Sequence, residues 1–287
     1  MAKSDKFMML VNGSGALIGV TLAGFFLWPL LTEDEDANGC FARYREAAVF
    51  GFANEGGEPR SPIELQAQAG RSERGFLHNV VIRAAEAAPA PAVLDVKLAD
   101  GAEDAGLSFD WRPESLVGVN AACLRYQVLV PEGFDFRRQG VLPGIYGGER
   151  TTLGERPDAA QGIAARVIWR NKGEGEVNAQ YSGAAQRQIG AAVGMRAFTL
   201  KPGRWTAIEQ EVVLNTPGEK NGVLRLWVNG KPRIEDAHVE WRTDGSLTLS
   251  GVLADIGYVK QPGLGSKTAQ AAEGPATLTV SPLELAW

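Results

Sequence analysis

Arg166 and Arg170 stand four residues apart in the run Ile163-Ala164-Ala165-Arg166-Val167-Ile168-Trp169-Arg170. The run alternates. As a strand it sends Ile163, Ala165, Val167 and Trp169 to one face and Ala164, Arg166, Ile168 and Arg170 to the other. The two guanidinium groups then share a sheet face, roughly 13 Å apart by strand rise. That spacing suits a polymer with repeated negative charges better than a single small molecule. Upstream, Gly140-Val141-Leu142-Pro143-Gly144-Ile145-Tyr146-Gly147-Gly148 reads as a glycine-rich turn closed by a rigid Pro-Gly pair. Gly144, Gly147 and Gly148 leave room there for a ligand to approach the main chain, with Tyr146 beside it as a candidate acid or base.

Other chemistries are excluded by inventory. The chain has two histidines, His78 and His238, and two cysteines, Cys40 and Cys123, too few for a Cys/His zinc site at short spacing. Neither histidine lies near a nucleophile elbow, and no Walker loop or dinucleotide fingerprint is present. No cofactor or metal is expected. A formal charge of -5 over 287 residues, with no Lys/Arg run, argues against nucleic acid as a partner. An acidic chain can still bind an acidic polymer where its arginines gather in one cleft.

The elements that position these residues follow from the chain order. Lys3 and Lys6 precede an uncharged apolar run over residues 7–31, long enough to cross a bilayer as a helix. Glu33-Asp34-Glu35-Asp36 follows. By the positive-inside rule, residues 1–36 predict a cytoplasmic stub, a single-pass inner-membrane signal anchor and an acidic junction. The body then lies in the periplasm or outside the cell. Cleavage as a signal peptide and lipidation at Cys40 are the alternatives. In that compartment Cys40 and Cys123 can form a disulfide, the other reading being two buried thiols. Residues 37–75 read as a neck, with a short helix over 41–52 and a loop over 56–62.

From residue 76 to 287 short strands and turns predict an all-β sandwich. The candidate strands are 77–83, 93–98, 123–130, 164–169, 205–214, 223–228, 238–242, 246–252 and 277–280. Asn229-Gly230 marks a two-residue hairpin, and Asn215-Thr216-Pro217-Gly218 another turn.

Several of these stretches carry a resemblance. Phe134-Asp135-Phe136 through Gly148, the Arg166-Val167-Ile168-Trp169-Arg170 strand, Lys201-Pro202-Gly203-Arg204-Trp205, Leu214-Asn215-Thr216-Pro217-Gly218 and Asn221 to Gly230 together resemble the polysaccharide lyase family 14 domain. The likeness implies a β-jelly roll whose concave sheet holds an acidic polysaccharide such as alginate or glucuronan and cleaves it by β-elimination. That reaction needs a cation to neutralise the uronate carboxylate, a base for the C5 proton and an acid for the leaving oxygen. Arg166 matches the family's strand arginine, and Arg170 would bind a neighbouring carboxylate.

The departures fall on the chemistry. Val141 replaces the lysine before Leu-Pro-Gly, Ala164 replaces a serine, and the family's tyrosine pair falls on Asn178 and Gln180. Neither amide transfers protons near neutral pH. Tyr146 and Tyr181 are the substitutes on offer, though Tyr181 points to the opposite face unless a bulge shifts it. The resulting expectation is a membrane-anchored domain that binds an acidic polysaccharide with little or no lyase activity. Envelope polysaccharide-secretion proteins are its expected partners. An active polyuronate lyase and a non-catalytic protein-interaction module remain the alternatives.

Overall fold

In the computed structural model, the residues described are 39–69, 72–85, 89–98, 106–153, 161–181, 191–259 and 276–287. The apolar run 7–31 lies outside them. Among the described residues no helix is long and apolar enough to cross a membrane. Gly39–Trp287 forms one unit.

The strands, in chain order, are β1 (Ala47–Phe50), β2 (Val80–Ala84), β3 (Ala92–Lys97), β4 (Asp110–Trp111), β5 (Ala121–Leu129), β6 (Gly140–Gly148), β7 (Gly162–Trp169) and β8 (Glu174–Gln180). They continue as β9 (Ala191–Thr199), β10 (Trp205–Val213), β11 (Gly222–Val228), β12 (Lys231–Val239), β13 (Leu249–Leu253), β14 (Gly257–Tyr258), β15 (Thr277–Val280) and β16 (Leu283–Ala286). Among the described residues one short α-helix, α1 (Pro62–Ala69), is opened by Ser61, whose hydroxyl and backbone N–H bond the Glu64 carboxylate as a capping box.

Two antiparallel sheets result. The larger runs β12-β11-β10-β5-β15-β3-β2, with β16 also on β5 and β1 on β16. The smaller runs β4-β13-β6-β7-β8-β9, with β14 on β6. Alternation assigns the faces. Leu124, Tyr126 and Val128 of β5 join Ile163, Ala165, Val167 and Trp169 of β7 in one apolar cluster between the sheets. Ala164 and Arg166 therefore look outward from the smaller sheet, as the sequence pattern requires.

The stretch expected as a glycine turn is instead the central strand β6, buried along nearly its whole length. It carries no charge, and its glycines are needed for packing between strands. A Cβ at Gly144 would lie 1.8 Å from the Ala165 carbonyl oxygen, and one at Gly140 would collide with the Trp169 ring. Pro143 is tolerated because it sits at a bulge between Leu142 and Gly144. Two polar side chains cross from the larger sheet to hold that bulge. Tyr126 donates its hydroxyl to the Pro143 carbonyl at 3.1 Å, and Gln210 accepts the Ile145 N–H at 3.2 Å.

Of the residues 37–75 read from sequence as a neck, β1 pairs into the larger sheet. The expected helix over 41–52 is a 3-10 turn, Phe41–Arg43, followed by β1 on the edge of β16. Cys40 and Cys123 form a disulfide on the outer face of the larger sheet. Glu209 accepts the N–H groups of Cys40 and Phe41, both at 2.6 Å, and Glu211 accepts the Tyr44 hydroxyl at 2.9 Å. Closing an 83-residue separation removes chain entropy worth about 4.5 kcal/mol. Further on, Phe50, Phe52, Phe76, Phe109 and Trp111 stack into an aromatic plug. The plug fixes β4 against β13 and so delivers Asp110 to the outer face of the smaller sheet.

Candidate functional site

The outer face of β6, β7 and β8 brings most of the expected residues into two rows. Gly144, Arg166 and Asn178 are cross-strand neighbours, and so are Tyr146, Ala164 and Gln180. The sheet supplies this alignment without loops, since antiparallel register alone places side chains of equal face side by side.

Arg166 lies at the centre and has no exposed surface. Its Nε donates to Asp255 Oδ2 at 2.9 Å and its Nη1 to Thr151 Oγ1 at 3.1 Å. The same guanidinium bonds the Gln180 amide oxygen and the Thr151 carbonyl. Burial pulls its pKa below the ordinary arginine value, and Asp255 opposes that pull. Gln180 is held in turn, its Nε2 donating to the Thr152 carbonyl at 3.0 Å. Neither Arg166 nor Gln180 therefore presents its polar atoms outward.

The network continues through acids that the sequence reading did not single out. Asp255 Oδ1 also accepts Arg150 at 2.8 Å and the Ser108 hydroxyl at 2.7 Å. Arg150 reaches Asp110 at 3.6 Å, and Asp110 accepts Arg112 Nε at 3.0 Å. Tyr146, fully buried, donates its hydroxyl to Asp110 at 3.3 Å, with Arg112 stacked over its ring at 5.3 Å. Burial first, and the Asp110 charge second, raise the Tyr146 phenol well above the usual tyrosine range. The sequence does hold a signal for these acids. Asp110 and Asp255 are isolated charges inside the apolar runs Phe109-Asp110-Trp111 and Leu253-Ala254-Asp255-Ile256. An isolated acid among buried positions requires a cationic partner.

The remaining candidates sit apart from this centre. Arg170, just beyond β7, bonds Glu176 and donates Nη1 to Gln139 at 2.9 Å. The Glu176 hydrogen bond raises its pKa. Tyr181 packs edge-on against the buried Trp241 at 5.5 Å, on the core side of the smaller sheet. Its pKa is raised by burial, then by Asp236 and Glu240. Gly147 and Gly148 face main-chain oxygens of Thr248 and Gln161, so the space above them belongs to the protein itself. Val141 lies opposite Ile168, giving the face an apolar strip.

The chain is thus a two-layer antiparallel sandwich whose smaller sheet carries an Arg–Asp–Tyr network on its outer face. Residues 92–258, more than half of the chain, match the profile of polysaccharide lyase 14. The chain belongs to that family. Its fold is similar to the PL-14 alginate lyase of Aplysia kurodai, with TM-score 0.62 and 21% identity over 74% of this chain and 88% of that one. It is likewise similar to the alginate lyase vAL-1 of a Chlorella virus, with TM-score 0.62 and 20% identity over 78% and 96%. A mutant of alginate lyase Aly36B, solved with an alginate tetrasaccharide, superposes with TM-score 0.65 and 15% identity over 85% and 97%. At these identities the likeness is one of fold. No curated protein matches the chain.

Proposed function

We propose that this protein is a membrane-anchored, lyase-like domain that binds an acidic, uronate-containing polysaccharide outside the cytoplasm and cleaves it little or not at all. One observation carries the second half of the reading. Arg166, the candidate for neutralising a uronate carboxylate, is buried and already neutralised by Asp255 at 2.9 Å. Withdrawing electrons from a substrate carboxylate requires a cation whose field is not already cancelled. The candidate proton carriers are also engaged. Tyr146 keeps its proton and donates it to Asp110 in a hydrogen bond, and Tyr181 faces the core.

Binding is supported by family membership, and by an alginate oligosaccharide in a relative of the same fold. Anchoring rests on the apolar run 7–31, flanked by Lys3 and Lys6 before it and by Glu33 to Asp36 after it.

Incubation with alginate, glucuronan and other polyuronates tests the reading through the absorbance of unsaturated uronate ends. The expected result is no signal above buffer, together with retarded migration in gels containing the same polymers. A signal abolished by Tyr146→Phe would establish the active lyase instead. Absence of retardation across the panel would favour a protein-interaction module.

A further inference from the structure

One cavity, of about 450 Å³, lies where edge strand β9 of the smaller sheet meets β10, β11 and β12 of the larger. Its volume falls within the usual range for ligand sites. Four cationic side chains line it: Arg196 on β9, Lys201 and Arg204 in the turn before β10, and Arg233 on β12. Trp205, half-buried, forms part of the wall.

The surroundings of these charges set the cavity apart. Lys201, Arg204 and Arg233 are exposed, and among the described residues no carboxylate stands within ion-pair distance of them. Arg196 pairs with Glu174 at 3.1 Å but is 77% exposed, so the pair is worth little and can be exchanged for a ligand anion. One acid approaches the turn: the Glu132 carboxylate lies against Gly203. Three unpaired cations around one hollow concentrate positive potential there, in a chain whose formal net charge is -5.

The backbone is shaped to hold this arrangement. Arg196 has φ 60°, a left-handed conformation that L-residues adopt at a cost of roughly 1–2 kcal/mol. Gly203, at φ 72°, bonds the Val130 carbonyl at 2.8 Å and closes the turn carrying Lys201 and Arg204. The Asn229-Gly230 hairpin is pinned to β10, with Asn229 Oδ1 accepting the Ala207 N–H at 2.8 Å. Arg233 follows it on the same hairpin.

We infer that this edge cavity is an anion site that takes a carboxylated or sulfated sugar unit of an acidic polysaccharide. The cations would hold the acid group and Trp205 the apolar face of the ring. The assignment rests on the polysaccharide-binding reading and moves recognition away from the buried Arg166 network. A polymer held here would run along the sandwich edge.

Calorimetry on the full-length protein, with oligomannuronate, a sulfated oligosaccharide, a neutral oligosaccharide, single-stranded DNA and sodium sulfate as probes, tests it. Acidic oligosaccharides are expected to bind and the neutral one not. Affinity should fall more than about tenfold in the double variant Arg204→Gln/Arg233→Gln. Glu132→Gln should tighten binding, an effect that a folding defect would not produce. Equal saccharide affinity in the double variant, or no binding by the wild type, overturns the site. Saccharide binding lost only in Arg170→Gln also overturns it, yet leaves the polysaccharide reading intact. Cavity-dependent binding of sulfate alone, or of DNA as tightly as sugar, overturns the sugar assignment of this cavity, whereas retarded migration in polyuronate gels tests the polysaccharide reading separately.

Discussion

Arg166 on β7 and Arg204 before β10 carry the same charge in opposite settings. Arg166 is wholly buried, and Asp255, Thr151 and Gln180 hold its guanidinium. Arg204 is exposed on a cavity wall, with no carboxylate at ion-pair distance among the described residues. The difference follows from desolvation. A cation taken out of water must find an anion inside the protein, whereas one left in water need not. An arginine's place in a strand motif is therefore no guide to whether its charge is available. Position on the sandwich decides that: Arg166, at the centre of the smaller sheet, is internalised, and the edge displays its cations.

The largest expected effect comes from breaking the internal pair. Arg166→Ala leaves Asp255 facing the network without its principal partner and should cost about 3–5 kcal/mol in chemical denaturation. The double variant Arg166→Met/Asp255→Leu should lose much less than the sum of the single changes, because no buried charge is then stranded. Additive losses would show that the pair is not coupled as drawn.

An intermediate effect is expected in alkali. Tyr44, Tyr126, Tyr146 and Tyr181 all have raised pKa values in the fold, chiefly through burial. A phenol whose folded pKa lies above its unfolded value adds stability that is complete below the unfolded pKa, near 10. That contribution is lost as pH climbs toward the folded values. Unfolding midpoints should hold steady up to about pH 10 and then drop. Ultraviolet titration should show these phenols ionising together with unfolding. Early ionisation of four phenols in the native state would refute the buried hydrogen-bonded geometry.

The smallest effect sharpens the contrast from the other side. Arg204→Gln should change stability by no more than about 0.5 kcal/mol, as exposed unpaired charges do. A larger loss would mean that the cavity cations are structural.

The fold, though not this contrast, was largely legible in the sequence, for a definite reason. Alternation in 163–170 sorted core from outer face correctly because a strand has only two faces. The strand over 277–280 coincides with β15, and the all-β, two-layer expectation holds. Local pattern misled where tertiary packing outweighed it. Four glycines and a proline between 140 and 148 look like a turn, yet Gly144 is there because the Ala165 main chain lies where a Cβ would go. The segment 41–52 looked like a short helix in a neck because β1 draws its pairing from Leu283–Ala286, at the far end of the chain. The Asp255–Arg166 contact spans 89 residues, and no local spacing reports it.

The sulfur link described at the start of the sandwich has a mechanical corollary. Cys123 belongs to β5, which is flanked on one side by β10 and on the other by β15 and β16. A pull arriving at residue 39 would pass through Cys40 into that interior strand and not into the short outlying β1. Unravelling would then demand shearing many backbone bonds at once, while reduction of the link would let the load peel β1 from β16 one pair at a time.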